Sequence, residues 1–101
     1  MLDLVRQIAN RLREQYGAKE VILFGSYARG DQNSDSDIDL FIISDTNEKF
    51  FERQASIRRL IRDLKKGIAV SPIVLTTVEV EARRQIGDLF IEEILETGLR
   101  A

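Results

Sequence analysis

The chain contains no cysteine and no histidine. Without cysteine there is neither a disulfide framework nor a thiolate metal site. Without histidine the commonest general base and the imidazole metal ligands are missing too. Any bound metal must be held by oxygens, which points to Mg²⁺, Mn²⁺ or Ca²⁺. Tryptophan is absent, and Pro72 is the one proline. No apolar run is long enough to span a bilayer. The N-terminus carries Asp3 and lacks the extended apolar stretch of a secretory signal, so the cytoplasm is the expected location. Charge of one sign is scarce as well. Fifteen basic and 17 acidic residues leave a net charge of −2, so no global field favours nucleic acid.

What remains is a globular composition, 44% hydrophobic and 32% charged over 101 residues. That length suits one domain, 1–101, with a single thin two-layer core. No linker, repeat or low-complexity segment interrupts it. Leu2, Val5, Ile8, Ala9, Leu12 and Tyr16 recur at helical spacing, which predicts an amphipathic helix over 3–16 with Gly17 as its C-terminal cap. "EVILFGS" reads as a buried strand ending at Gly25. Residues 26–30 fit one helical turn, 31–36 a polar loop, and "DIDLFIIS" a second strand. Residues 48–66 read as a helix through Phe50, Ile57, Leu60, Ile61 and Leu64. "IAVSPIVLT" reads as a third strand whose Pro72 suits an edge or a bulge. Residues 78–97 are helical again, with a break at Gly87 and Gly98 as a terminal cap. The order α-β-β-α-β-α predicts an α/β (α+β) fold, a small mixed sheet with helices packed on it.

The stretch "GSYARGDQNSDSDID", residues 25–39, holds the chemistry. As a plain turn its Gly, Ser, Asn and Asp are ordinary. Asp37 and Asp39 do not fit that reading, because they open an apolar strand in which aspartate is a poor strand former. Alternation sets both carboxylates on one face, roughly 7 Å apart along the strand. Two like charges so placed repel unless a cation lies between them. A calcium loop beginning at Asp31 would require glycine at 36 and glutamate at 42, where Ser36 and Ile42 stand. A nucleotide site uses every feature. A strand leads through Gly25 and Ser26 into a short helix, where backbone N–H groups and a hydroxyl meet a phosphate. Arg29 follows one turn on, and the next strand brings two carboxylates for a Mg²⁺ bridging the phosphates.

"GSYARGDQNSDSDIDLFI" resembles the signature of the DNA polymerase β-like nucleotidyltransferase superfamily. Within it the chain is most similar to the minimal nucleotidyltransferases, small antitoxin-type proteins that partner HEPN-domain proteins. Gly25-Ser26, Ala28-Arg29-Gly30 and Ser36-Asp37-Ile38-Asp39-Leu40 fill the family pattern without insertion. "FIEEILETG" resembles the family's closing helix, so the likeness covers almost the whole chain. The resemblance implies the polymerase β-like fold and metal ligation by Asp37 and Asp39, which are also the catalytic residues. It implies a nucleoside triphosphate, ATP, held at Gly25, Ser26, Arg29 and Ser36 with Mg²⁺ or Mn²⁺. The implied activity is transfer of AMP to a tyrosine of a HEPN-domain partner. One position departs from the family. A third carboxylate is expected on the third strand, and Ser71 stands there, with Asp31, Asp35 or a partner residue as the available substitutes. Two readings therefore stay open, an adenylyltransferase and a degenerate relative that neutralises its partner by contact. A nucleic-acid-binding module is disfavoured by the acidic balance.

Other features have plain structural readings. Residues 49–66 hold seven basic and two acidic residues, with Arg58, Arg62, Lys65 and Lys66 on one helical face. A solvated face explains them more readily than a nucleic-acid or acidic-partner surface. Residues 79–98 hold six acidic and two basic residues, and the two segments could face each other. Leu89, Phe90, Ile91, Ile94, Leu95 and Leu99 make a helix apolar on more than one side. It serves either as core or as a surface for a partner or a second copy. Tyr27, inside the motif, could stack on a base or brace the loop.

Overall fold

A computed structural model describes residues 1–101. The elements are α1 (Leu2–Gln15), β1 (Glu20–Phe24), α2 (Ser26–Arg29), β2 (Ile38–Ile43), α3 (Phe50–Lys65), β3 (Val70–Leu75), α4 (Thr77–Gln85), α5 (Leu89–Thr97) and β4 (Leu99–Arg100). The four strands form one sheet in the order β3-β2-β1-β4. β1 runs antiparallel to β2 and to β4, while β2 and β3 are parallel, so the sheet is mixed as the sequence predicts. The parallel pair is joined by α3, the crossover such a connection needs. β3 is an edge strand, which accommodates the missing N–H of Pro72.

Strand alternation sorts the side chains onto two faces. Val21, Leu23, Ile38, Leu40, Ile42, Val70 and Val74 face α1 and α3, in a core of 14 buried residues. α1 contributes Val5, Ile8, Ala9 and Leu12, the i, i+3, i+4, i+7 stripe of an amphipathic helix. The opposite face holds a smaller core of seven residues, Ile22, Phe41, Ile43 and Leu75 under Val80, Ile91 and Ile94 of α4 and α5. Asp39 and Ser71 belong to this second face by register, Phe24 pairing with Asp39 and Asp39 with Ser71. One side of the sheet is thus filled. The other is filled at one end and carries polar groups at the end where β1 stops and β2 begins.

Several boundaries differ from the sequence expectation. β1 ends at Phe24, since Gly25 has φ +76° and leaves the strand. β2 begins at Ile38, so Asp37 lies one residue outside it but keeps the two-residue spacing to Asp39. The predicted helix over 78–97 is two helices. Gly87, at φ +73°, ends the first, and Asp88 starts the second by accepting from the N–H groups of Phe90 and Ile91. Gly98 follows α5 in extended geometry, not in the left-handed turn of a glycine cap. It turns the chain into β4, which the sequence does not announce because two residues carry no periodic signal. The basic and acidic helices do not face each other. α3 packs on α1 and β3, while α5 packs on α4 and β1. The hydrogen bond and ion pair that join the two segments run from Arg53 to Glu79 at 2.6 Å, and Arg53 also donates to the β3 carbonyl of Val74 at 3.1 Å.

Candidate functional site

At the polar end of the sheet the β1–α2 junction lies directly over β2. Gly25 adopts φ +76° and ψ −154°, a backbone region essentially reserved for glycine. A Cβ there would overlap Asp39 Oδ2 and lie 3.1 Å from its Cγ. The missing side chain is therefore what allows the strand-to-helix turn to sit against the carboxylate. α2 is a single turn closed by Gly30 in the left-handed region at φ +81°. Its first N–H groups have no carbonyl one turn back to bond.

Asp39 is half-buried and Asp37 exposed. Loss of solvent raises the Asp39 carboxyl above the ordinary carboxylate range, the nearby Asp37 charge raises it further, and Arg29 opposes both. Ser71 Oγ donates a hydrogen bond of 2.9 Å to Asp37 Oδ2. Together with the Asp39–Ser71 register, this puts Asp37, Asp39 and Ser71 in one cluster. Ser71, on the third strand, thus lies beside both aspartates. No group of three or more acidic side chains is present that could hold a metal ion. The donor set that exists, two carboxylates on one face with a hydroxyl beside them, suits a hard divalent cation such as Mg²⁺.

Arg29 is exposed and bonded to Asp31 at 3.2 Å, so its guanidinium stays at the rim of the site. Ser36 is placed differently from the other motif residues. Its hydroxyl accepts from the Asn33 N–H at 2.9 Å, and the Asp35 N–H donates to Asn33 Oδ1 at 2.8 Å. Ser36 thus closes the 31–36 loop through local bonds of the kind Asn and Ser make in turns. Asp31 is engaged by Arg29, and Asp35 is exposed. Neither joins the Asp37–Asp39 pair as a third carboxylate.

A cleft of about 400 Å³ opens beside this cluster, lined by Gly25, Ser26, Ala28, Arg29 and Asp39 on one side. Its other side is α5, through Phe90, Glu93, Ile94 and Thr97. The volume falls in the range of small-molecule sites. Phe24 and Phe90 meet edge to face at its wall, with centroids 5.7 Å apart and planes at 83°. The α5 lining is what sequence reasoning missed. The one available signal was that Phe90, Glu93 and Thr97 share the helical face of Ile94 at i, i+3, i+4, i+7 spacing.

Comparison with known proteins gives the family. A nucleotidyltransferase-domain family model matches residues 5–99. A candidate protein adenylyltransferase of Methanocaldococcus jannaschii is 33% identical over 96 residues, 93% of this chain and 90% of its own length. The protein adenylyltransferase MntA of Thermococcus cleftensis is 36% identical over 72 residues, 57% of this chain and 71% of that protein. The crystal structure of a candidate nucleotidyltransferase from Sulfolobus solfataricus superposes with a TM-score of 0.60 at 32% identity, covering 81% of this chain and 72% of that one. With the glycine-serine turn, the paired aspartates and the sheet that joins them all in place, the chain belongs to the nucleotidyltransferase-domain family.

Proposed function

We propose that this protein transfers AMP from ATP to a hydroxyl group of a partner protein, and that the partner is a HEPN-domain toxin silenced by the modification. The observation that carries the reading is the contact between Gly25 and Asp39, with Asp37 on the same face. It sets a surface open to phosphate oxygens against a pair of carboxylates. The family acts on nucleoside triphosphates with a divalent metal, and the relatives named above are protein adenylyltransferases or candidates for that activity. Asp37 and Asp39 would hold Mg²⁺, which when bound neutralises phosphate charge during transfer.

The chain's own groups have separate tasks. Gly25 and Ser26 receive the phosphates, and Arg29 at the rim adds positive charge to the same cleft. Ser71 orients Asp37 by its hydrogen bond. In the transfer the acceptor hydroxyl gives up its proton to solvent, its oxygen bonds to the α-phosphorus, and the bond from that phosphorus to pyrophosphate breaks, so pyrophosphate leaves. The half-buried setting of Asp39 lowers the local dielectric, which strengthens each charge interaction made there.

A second reading has a specific basis in Ser71. A hydroxyl cannot take a proton from an attacking group at neutral pH as a carboxylate can. A protein with this site could bind nucleotide weakly and neutralise its partner by contact alone. One experiment separates the two. The protein is incubated with α-labelled ATP, Mg²⁺ and the product of the neighbouring gene. Label on the neighbour establishes transfer. A stable complex without label establishes the contact mechanism.

A further inference from the structure

We propose that Phe90 is the stacking platform for the base of the bound nucleotide, and that the Glu93 carboxylate selects bases carrying an exocyclic amine. The inference rests on the nucleotide site proposed above and deepens it. Ile91 and Ile94 are each 3% exposed and bury the core side of α5, whereas Phe90 is 50% exposed. A half-exposed aromatic ring in a cleft offers an open face to water unless a ligand covers it. Phe24 meets that ring edge to face, which fixes its plane, and half of the Phe90 surface stays open. Phe24 is also the register partner of Asp39, so the aromatic wall starts one strand away from the metal-binding carboxylate. Phosphates at Gly25 and Ser26 therefore leave the base to reach this wall.

Of the two polar side chains on the α5 side, Thr97 is already committed. Its hydroxyl donates to the Glu93 carbonyl at 2.8 Å. Glu93 is exposed and joins none of the ion pairs of the chain. A carboxylate repels phosphates, so in this cleft its use is at the base. There it only accepts, and it matches an amine and rejects a carbonyl. Adenine presents that amine at position 6, where hypoxanthine presents an oxygen.

The test measures calorimetric binding of Mg·ATP, Mg·ITP and Mg·inorganic triphosphate to the full chain and to Phe90→Ala, Phe90→Leu, Glu93→Gln and Asp39→Asn. Phe90→Leu keeps apolar volume and folding while removing the aromatic face, so it answers if Phe90→Ala unfolds. Both Phe90 variants should weaken ATP and ITP about five-fold or more, the low end for base–aromatic stacking, and leave triphosphate unchanged. Glu93→Gln, able to donate or accept, should erase the preference for ATP over ITP. The inference is overturned if the Phe90 variants weaken triphosphate as much as ATP, if they leave ATP affinity unchanged, or if the ATP to ITP ratio survives Glu93→Gln. Failure of the underlying nucleotide reading looks different. In that case Asp39→Asn leaves triphosphate binding intact.

Discussion

Replacing Ser71 with aspartate asks whether the third ligand position has been emptied or merely moved. The hydrogen bond from Ser71 Oγ to Asp37, 2.9 Å long, would be lost, and a third negative charge would join Asp37 and Asp39. An exposed hydrogen bond of this kind contributes about 1 kcal/mol. Adjacent strands bring the new carboxylate to roughly 5 Å from its register partner. At an effective dielectric between about 40 and 80, that separation gives a repulsion of about 1–2 kcal/mol, and the open side of the cluster favours the lower figure. Together the losses come to about 2 kcal/mol, or a fall in Tm of roughly 8–16 °C for a domain this size without metal. Mg²⁺ should restore most of that fall, since a cation turns three repelling carboxylates into ligands. If catalysis has been lost at this position, AMP transfer should rise by about 10²-fold, the low end for one positioned base. Melting curves with and without Mg²⁺ and a labelled-ATP transfer assay read both effects. A variant whose Tm is indifferent to Mg²⁺ and whose transfer rate is unchanged would refute the assignment of Ser71 to the site.

Asp39→Asn should raise the Tm of the metal-free protein by roughly 4–8 °C, because about 1 kcal/mol of screened repulsion with Asp37 is removed; calorimetry should show loss of Mg·triphosphate binding in the same variant. Gly25→Ala should cost about 1–3 kcal/mol from its backbone region alone, and should displace Asp39, so denaturant unfolding and metal binding fall together. Arg53→Ala should be the most damaging of these changes, at about 3 kcal/mol, since it strips a buried guanidinium from the Val74 and Glu48 carbonyls and from Glu79; urea unfolding measures it. For pH, the bond to Lys19 and the Thr77 N–H hold Asp45 down to about 2 from an ordinary 3.8. A depressed carboxyl stabilises the fold above the unfolded value, and that contribution is lost as pH falls from about 4 to about 2. Asp45→Asn should therefore flatten the Tm profile across that window, and an unchanged profile would show that the ion pair does not contribute.

The elements that could be read from the sequence were those with a period to read. α1 is legible through Val5, Ile8, Ala9 and Leu12, and β1 to β3 through short runs of Val, Ile, Leu and Phe. The paired aspartates stand out because they interrupt such a run. β4 is invisible because Leu99 and Arg100 pair with β1 only once α5 and Gly98 have placed them. The bond between Ser36 and Asn33 was equally hidden. A motif names residue types, and it does not say whether a hydroxyl points to a ligand or to its own loop. The α5 side of the cleft was missed for a related reason. Phe90 and Glu93 lie about fifty residues beyond the motif, and their placement depends on which sheet face the last helix covers.

The unequal division of the two cores has a consequence for how the molecule opens. Fourteen buried residues tie α1 and α3 to one side of the sheet, against seven under α4 and α5 on the other. The free energy of local opening is set by such buried contacts, so α5 and β4 form the segment that detaches first while the larger core stays shut. Amide exchange should therefore be faster in α5 than in β2. The cleft has one wall on each unit, Gly25 and Asp39 on the durable one and Phe90 on the yielding one. A ligand that spans it would act as a clasp, and slower exchange in α5 would record its arrival even where no atom of α5 changed position.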